Sequence, residues 1–283
     1  MDLLGQTLET FYRQHDSKVR IDHDPVAFPH RYRSPVDIET AAFVATCLAY
    51  GRVGLFWPVL ERMFRIMDPS PYTFVLEFDV RRDGPLFSGI SYRMNRTSDI
   101  VAFLLLLSRM IRDHGSIGGF FKKAFRKSDL NILRALSRFV KVFYAGNTEA
   151  VYGDRTYPFG LCQMLPFPDK GGACKRANLF LRWMVRKDDG VDFGLWGFIP
   201  TDRLVMPLDT HVARIARHLG LTERKTTDIK TALEITDRLK RYDPIDPVKY
   251  DFALCHLGIS GRCPRQRSRI SCLSCTLRDV CVR

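Results

Sequence analysis

The sequence predicts an all-α protein, and three observations carry that prediction. Apolar residues recur at helical spacing in one segment after another. Gly, Pro and Asp clusters punctuate those segments at 68–71, 83–85, 114–119, 166–172 and 243–247. Residues 72–92 carry aromatic and β-branched side chains but alternate too weakly to read as strands and are left unassigned.

The elements follow in order. Ser34-Pro35-Val36-Asp37 has the form of an N-cap, a proline at the first helical position and an acidic third residue, opening an alanine-rich helix to about Tyr50. Further helices are expected over about 55–67, 98–113, 117–126, 130–144, 175–187, 209–219, 228–240 and 247–257. In the helix starting at Lys175, an apolar stripe of Ala177, Phe180, Leu181 and Met184 faces one way. Lys175, Arg182 and Arg186 fall within an arc of about 40° on the other side, a basic edge suited to a phosphate backbone. The helix near Asp209 is expected to bury Val212, Ile215, Ala216 and Leu219 and to stop at Gly220. Asp209 then stands at or beside the N-cap, where its carboxylate accepts backbone N–H bonds and stays ionised.

Composition narrows the class. A chain of 283 residues can bury the core of one domain or two packed lobes, and 46% hydrophobic content argues against disorder. The longest apolar run, Ile100 to Leu107, is too short to span a bilayer. Residues Met1 to Gly5 lack a basic segment leading into an apolar core, so a cytoplasmic protein without a membrane partner is expected; nucleoid association goes with a DNA partner, and a monomer is a separate expectation. A net charge of +13 attracts polyanions, of which DNA is the commonest in a cell; an ordinary basic surface is the alternative.

Eight cysteines in such a chain are read as metal ligands or buried thiols. Cys263, Cys272, Cys275 and Cys281 form a C-x8-C-x2-C-x5-C run, whose close spacing suits ligation of a 4Fe-4S cluster. Zinc is the alternative, although zinc ribbons usually carry two C-x2-C knuckles and this run has one. The site would pin the C-terminal loop and present Arg262, Arg265, Arg267 and Arg269 to phosphates. Cys47, Cys162, Cys174 and Cys255 read as buried or incidental thiols.

Several of these residues sit in a familiar order. Leu165-Pro166 leads through a hairpin containing Gly171-Gly172 into Lys175-Arg176-Ala177-Asn178; Leu208-Asp209-Thr210-His211 opens a helix; Gly261-Arg262 precedes the first of the four cysteines. From about 160 to 283 this resembles the helix-hairpin-helix (HhH-GPD) DNA glycosylase superfamily, which includes endonuclease III and the archaeal oxoguanine glycosylases. The helical layout of 35–160 extends the likeness, and the chain looks like a microbial branch of that superfamily. It departs in a longer hairpin, in a 34-residue gap from Lys175 to Asp209 nearer that of the archaeal enzymes, and in a wider first cysteine gap.

The resemblance implies a two-lobed helix-hairpin-helix fold with a C-terminal metal-cluster loop. Residues 1–34 would pack on the C-terminal lobe, 35–187 would form a helical-barrel lobe ending in the hairpin and lysine helix, and 188–283 the C-terminal lobe. It implies base-excision repair of double-stranded DNA containing a damaged base. Lys175 would attack the sugar carbon bearing an oxidised base and form a Schiff base that permits strand cleavage, while Asp209 stabilises the positive sugar. The lysine needs burial or cationic neighbours to lower its pKa, and Arg176 stands beside it. The backbone of Gly171 and Gly172 would hold a phosphate, and Tyr50 or Arg52 would fill the gap left by the flipped base. Phe193, Trp196 or Phe198 would face the lesion. A monofunctional glycosylase, a non-catalytic damaged-DNA-binding protein and a metal-dependent regulator are the alternatives. Without the resemblance, Lys175 reads as a surface lysine, Asp209 as a plain N-cap and Tyr50 as core.

Overall fold

The computed structural model describes residues 2–15, 18–187, 189–264 and 270–282. Arg265, Arg267 and Arg269 lie outside them. Among the described residues the chain forms helices and turns with no β-strand; the only pairings of strand type are two isolated bridges, Tyr92 with Asn95 and Gly172 with Asp228. No described helix is long and apolar enough to cross a membrane. The chain divides into two compact units: one is Asp22–Lys170, the other is Met1–Ile21 together with Gly171–Arg283.

The first unit is built around helix α2 (Pro35–Leu48), the helix α1 being Leu3–Gln14 of the other unit. Ser34 stands at the N-cap of α2 and Pro35 begins it, as the sequence predicts, and every residue from Asp37 to Leu48 is buried. Burial on all sides follows from its composition, since small and apolar residues leave no polar face. Its acidic residues are therefore satisfied internally. Asp37 accepts from the Ser70 hydroxyl and the Tyr72 N–H. Glu39 accepts from the N–H groups of Ile117 and Gly118, capping the next helix but two in the unit. Around α2 lie α3 (Val53–Met67), α4 (Thr97–His114), α5 (Ile117–Ala124) and α6 (Leu133–Tyr144). Phe43 meets Phe103, Phe139 and Phe143 with ring centroids 5.6 to 6.1 Å apart, the geometry that aromatic quadrupoles favour. The unassigned 72–92 stretch consists of short turns of helix, Pro71–Leu76, Val80–Asp83 and Gly84–Phe87.

The second unit contains α7 (Lys175–Val185), α8 (Thr210–His218), α9 (Ile229–Leu239) and α10 (Asp251–Ile259). Helix α7, which the sequence joins to the 35–187 segment, has its ion pairs here, with Asp192 and Asp251. Helix α1 packs on the same unit: Tyr12 meets Tyr250 edge-on, and Glu9 pairs with Lys249 at 2.8 Å. Residues 22–34, expected to travel with residues 1–21, belong instead to the first unit, where Pro25–Ala27 and Pro29–Arg31 pack against α2. Helices α8 and α10 lie close together because Gly258 removes a side chain where they meet. A Cβ there would stand 2.6 Å from the Cβ of His211.

Candidate functional site

Asp209 is the N-cap of α8. Its Oδ1 accepts from the N–H groups of His211 and Val212, both at 2.8 Å, which satisfies two of the donors a helix start leaves open. Val212, Ile215 and Ala216 are buried as the apolar spacing predicts, and Gly220 adopts the positive φ of a helix stop. Lys175 begins α7, after Cys174 in a left-handed conformation. Its Nζ lies 2.8 Å from Asp209 Oδ2, so two helix starts 34 residues apart meet in one ion pair. The pair is only partly shielded: the lysine side chain is 31% exposed and the aspartate 17%.

Helix α10 adds two further groups. Cys255 and Asp251, four residues apart, share one face of it. The Cys255 thiol donates to the same Asp209 Oδ2, at 3.7 Å. Asp251 is buried; one of its oxygens pairs with Arg182, while Oδ1 has no hydrogen-bond partner among the described residues. Burial pushes the Asp251 carboxyl up to about 6, against the pull of Arg182 and Lys175. For Lys175, burial pushes down, but negative charge on Cys255, Asp209 and Asp251 and the hydrogen bond to Asp209 outweigh it, and the ammonium is held well above the usual lysine range. Asp209 is likewise penalised by burial yet held below the ordinary carboxylate range by Lys175 and the Val212 N–H. The lowered lysine pKa that the sequence led us to expect is not found: the lysine's neighbours here are anionic, and the anions win.

The basic edge of α7 is not found either. Arg182 is 1% exposed and binds Asp192 and Asp251; Arg186, also buried, binds Asp189, Asp192 and Asp246. Their guanidinium groups are consumed by internal carboxylates, and neither can reach a phosphate. Arg176 is half-buried, and Arg262 is exposed, its Nε donating to Ser260. Gly171 takes a left-handed φ of 82°, and its carbonyl accepts from the N–H of Ile229, so the hairpin is tied to the start of α9. Gly172 is exposed, and a Cβ at either glycine would meet open space. Trp196, one candidate for the lesion-facing aromatic, is core, packed edge-on against Phe180 at 5.4 Å; Phe193 and Phe198 are half-buried. In the first unit, Tyr50 is anchored by its hydroxyl, which donates to Asn95 and to the Tyr92 carbonyl, whereas Arg52 is exposed at the N-cap of α3.

The four C-terminal cysteines line one pocket with Ile215, His218 and Leu257. The His218 ring stands 3.6 Å from Cys263 Sγ. Burial pushes the thiols of Cys263 and Cys275 up, and negative charge on neighbouring cysteines pushes further. Crowded thiols of this kind suit a bound cation, which would offset that repulsion. Among the described residues, no three His, Cys, Asp or Glu side chains are grouped as a metal ion would need, so ligation calls for the thiols to close in.

Sequence reasoning missed Asp251 and Cys255 as site residues. Their i, i+4 spacing on an expected helix was the available signal, but nothing in that helix pointed towards Lys175.

Fold and site together define an all-helical protein with a lysine–aspartate pair at two helix starts. The chain belongs to DUF2400, a family of proteins of unknown function, which it matches over residues 24–260. That span contains Lys175, Asp209 and Cys255 and ends before Cys263. No curated protein and no solved structure matches the chain.

Proposed function

We propose that the protein is a DNA base-excision repair glycosylase with abasic-site lyase activity, acting on double-stranded DNA that contains an oxidised base. The observation that carries the reading is the contact of Lys175 Nζ with Asp209 Oδ2 at 2.8 Å, an amine and a carboxylate at the starts of two helices, partly open to solvent. The base must leave the stack before the sugar carbon can be reached. Asp209, kept ionised by Lys175 and by two backbone N–H groups, would stabilise the sugar as it gains positive charge. Lys175 would then attack that carbon after losing its proton, forming the Schiff base from which β-elimination cleaves the strand. The net charge of +13 and the exposed Arg52 and Arg262 supply attraction to phosphates.

Cys263, Cys272, Cys275 and Cys281 would hold a 4Fe-4S cluster, or zinc in the alternative. The cluster would contribute folding free energy by cross-linking the C-terminal loop, which keeps Arg262 in place beside the pocket.

The test is borohydride trapping of wild type and Lys175→Ala on duplexes carrying an abasic site or an oxidised base. A covalent complex formed by the wild type and lost in the variant is the expected result; no complex on any duplex would overturn the lyase reading. The raised Lys175 pKa favours a second reading, a monofunctional glycosylase in which Asp209 activates water. Under that reading Lys175→Ala still releases the base.

A further inference from the structure

We propose that Cys255 is a positioning residue of the Lys175–Asp209 pair, setting the charge of the lysine through the carboxylate oxygen that the two side chains share. The inference rests on the reading of Lys175 and Asp209 as the reacting pair. Asp209 Oδ2 accepts from Lys175 Nζ at 2.8 Å and from Cys255 Sγ at 3.7 Å. Oδ1 is already occupied by two backbone N–H groups, so Oδ2 is where the lysine and the thiol act on the same charge. The approach of α10 that brings the thiol there depends on Gly258, where any side chain would strike His211. Asp251, one turn before Cys255 and 2% exposed, leaves an unpartnered oxygen within electrostatic reach of both Lys175 and Asp209. A buried acceptor without a donor beside a reactive pair is what a site for an incoming polar group provides.

The thiol has two states with opposite consequences. Protonated, it donates to Oδ2 and continues to satisfy that oxygen when the lysine leaves to attack. Ionised, with its proton released to solvent, it becomes a further negative charge beside the ammonium and locks the lysine in its unreactive form. Thiols ordinarily make this change at about pH 8.5. Among the described residues, the charged and titratable groups facing the pair are His211 from α8, Asp251 from α10, and Arg182 from α7, the last neutralised by Asp192 and Asp251. While protonated, Cys255 therefore leaves Lys175 to the pull of Asp209 and Asp251 alone, and once ionised it adds to that restraint.

The experiment is reductive methylation of the full-length protein with formaldehyde and cyanoborohydride across a pH series, with the extent at Lys175 read by peptide mass spectrometry. Wild type, Cys255→Ser and Cys255→Ala are compared, and the exposed Lys122 and Lys123 serve as references in each protein. Near neutral pH, Lys175 should react alike in wild type and Cys255→Ser, which keeps a hydroxyl donor. Above about pH 9 it should react several-fold faster in both variants, since each unit of pKa lowered raises the neutral amine about tenfold. Lys122 and Lys123 should not change. Coincident Lys175 profiles in all the proteins would overturn the proposal. Borohydride trapping on an abasic duplex gives an independent reading: the wild-type rate should fall in alkali and that limb should vanish in Cys255→Ser. If the wild type traps nothing, the lyase reading fails while the methylation profiles still judge Cys255.

Discussion

At the scale of the residue, Asp209 combines two functions that substitutions can separate. Asparagine keeps the N-cap acceptor but loses the charge, whereas alanine loses both. Asp209→Ala should cost about 1 kcal/mol for the cap alone, and Asp209→Asn distinctly less, as urea midpoints will show. Both variants should lose base release. Asp251 offers a pH test with a definite sign. Its folded pKa of about 6 lies above the ordinary aspartate value of about 3.9. Between those values the folded protein holds the proton more tightly than the unfolded chain does. The contribution is thus fully present below about pH 3.9 and is lost as the pH rises through about 6. Asp251→Asn should flatten the dependence of the urea midpoint on pH in that window. An unchanged slope would mean that Asp251 is ionised throughout.

At the scale of the element, α7 shows what a helical pattern conveys and what it omits. Its apolar stripe of Ala177, Phe180, Leu181 and Met184 is buried as the spacing predicts. On the opposite side, read as a basic edge, Arg182 and Arg186 are buried as well, and Asp192 and Asp251 meet Arg182 there. Those carboxylates lie 10 and 69 residues away in the chain, beyond the reach of any local pattern. Arg182→Met should destabilise the protein by about 3–5 kcal/mol in chemical denaturation, since it strands buried carboxylates without a counter-charge. Helix α5 is the opposite case: Phe120 and Phe121 are buried and Lys122 and Lys123 exposed, so its pattern is the amphipathic one its sequence shows. The contact of α8 with α10 can be tested through its glycine. Gly258→Ala should cost about 1–3 kcal/mol by overpacking against His211. Adding His211→Ala should recover part of that loss in a double-mutant cycle.

At the scale of the whole molecule, charge and the cysteine loop dominate the expectations. With a net charge of +13, binding to duplex DNA should weaken steeply as salt is added. Arg262→Ala should reduce the slope of log K against log salt by about one, the share of one phosphate contact, whereas replacing the buried Arg186 should leave it unchanged. Replacing Cys272 and Cys275 by serine should remove bound iron, or zinc in the alternative, measured by elemental analysis of the purified protein.

The sequence by itself determined most of the longer helices and several of their ends, but not α1 or the short turns within 72–92. Periodicity, caps and stops act over one or two turns, so α8 from its Asp209 cap to its Gly220 stop could be read from neighbours alone. It also determined which types of residue were available for chemistry: a lysine and an aspartate at helix starts and four clustered thiols. Only the tertiary structure decided their company. That Lys175 meets anions and not cations, that Arg182 and Arg186 face inward, and that Cys255 joins Asp209 all depend on contacts between elements far apart in the chain. Electrostatics at a site is a sum over spatial neighbours, and a sequence orders neighbours only along the backbone.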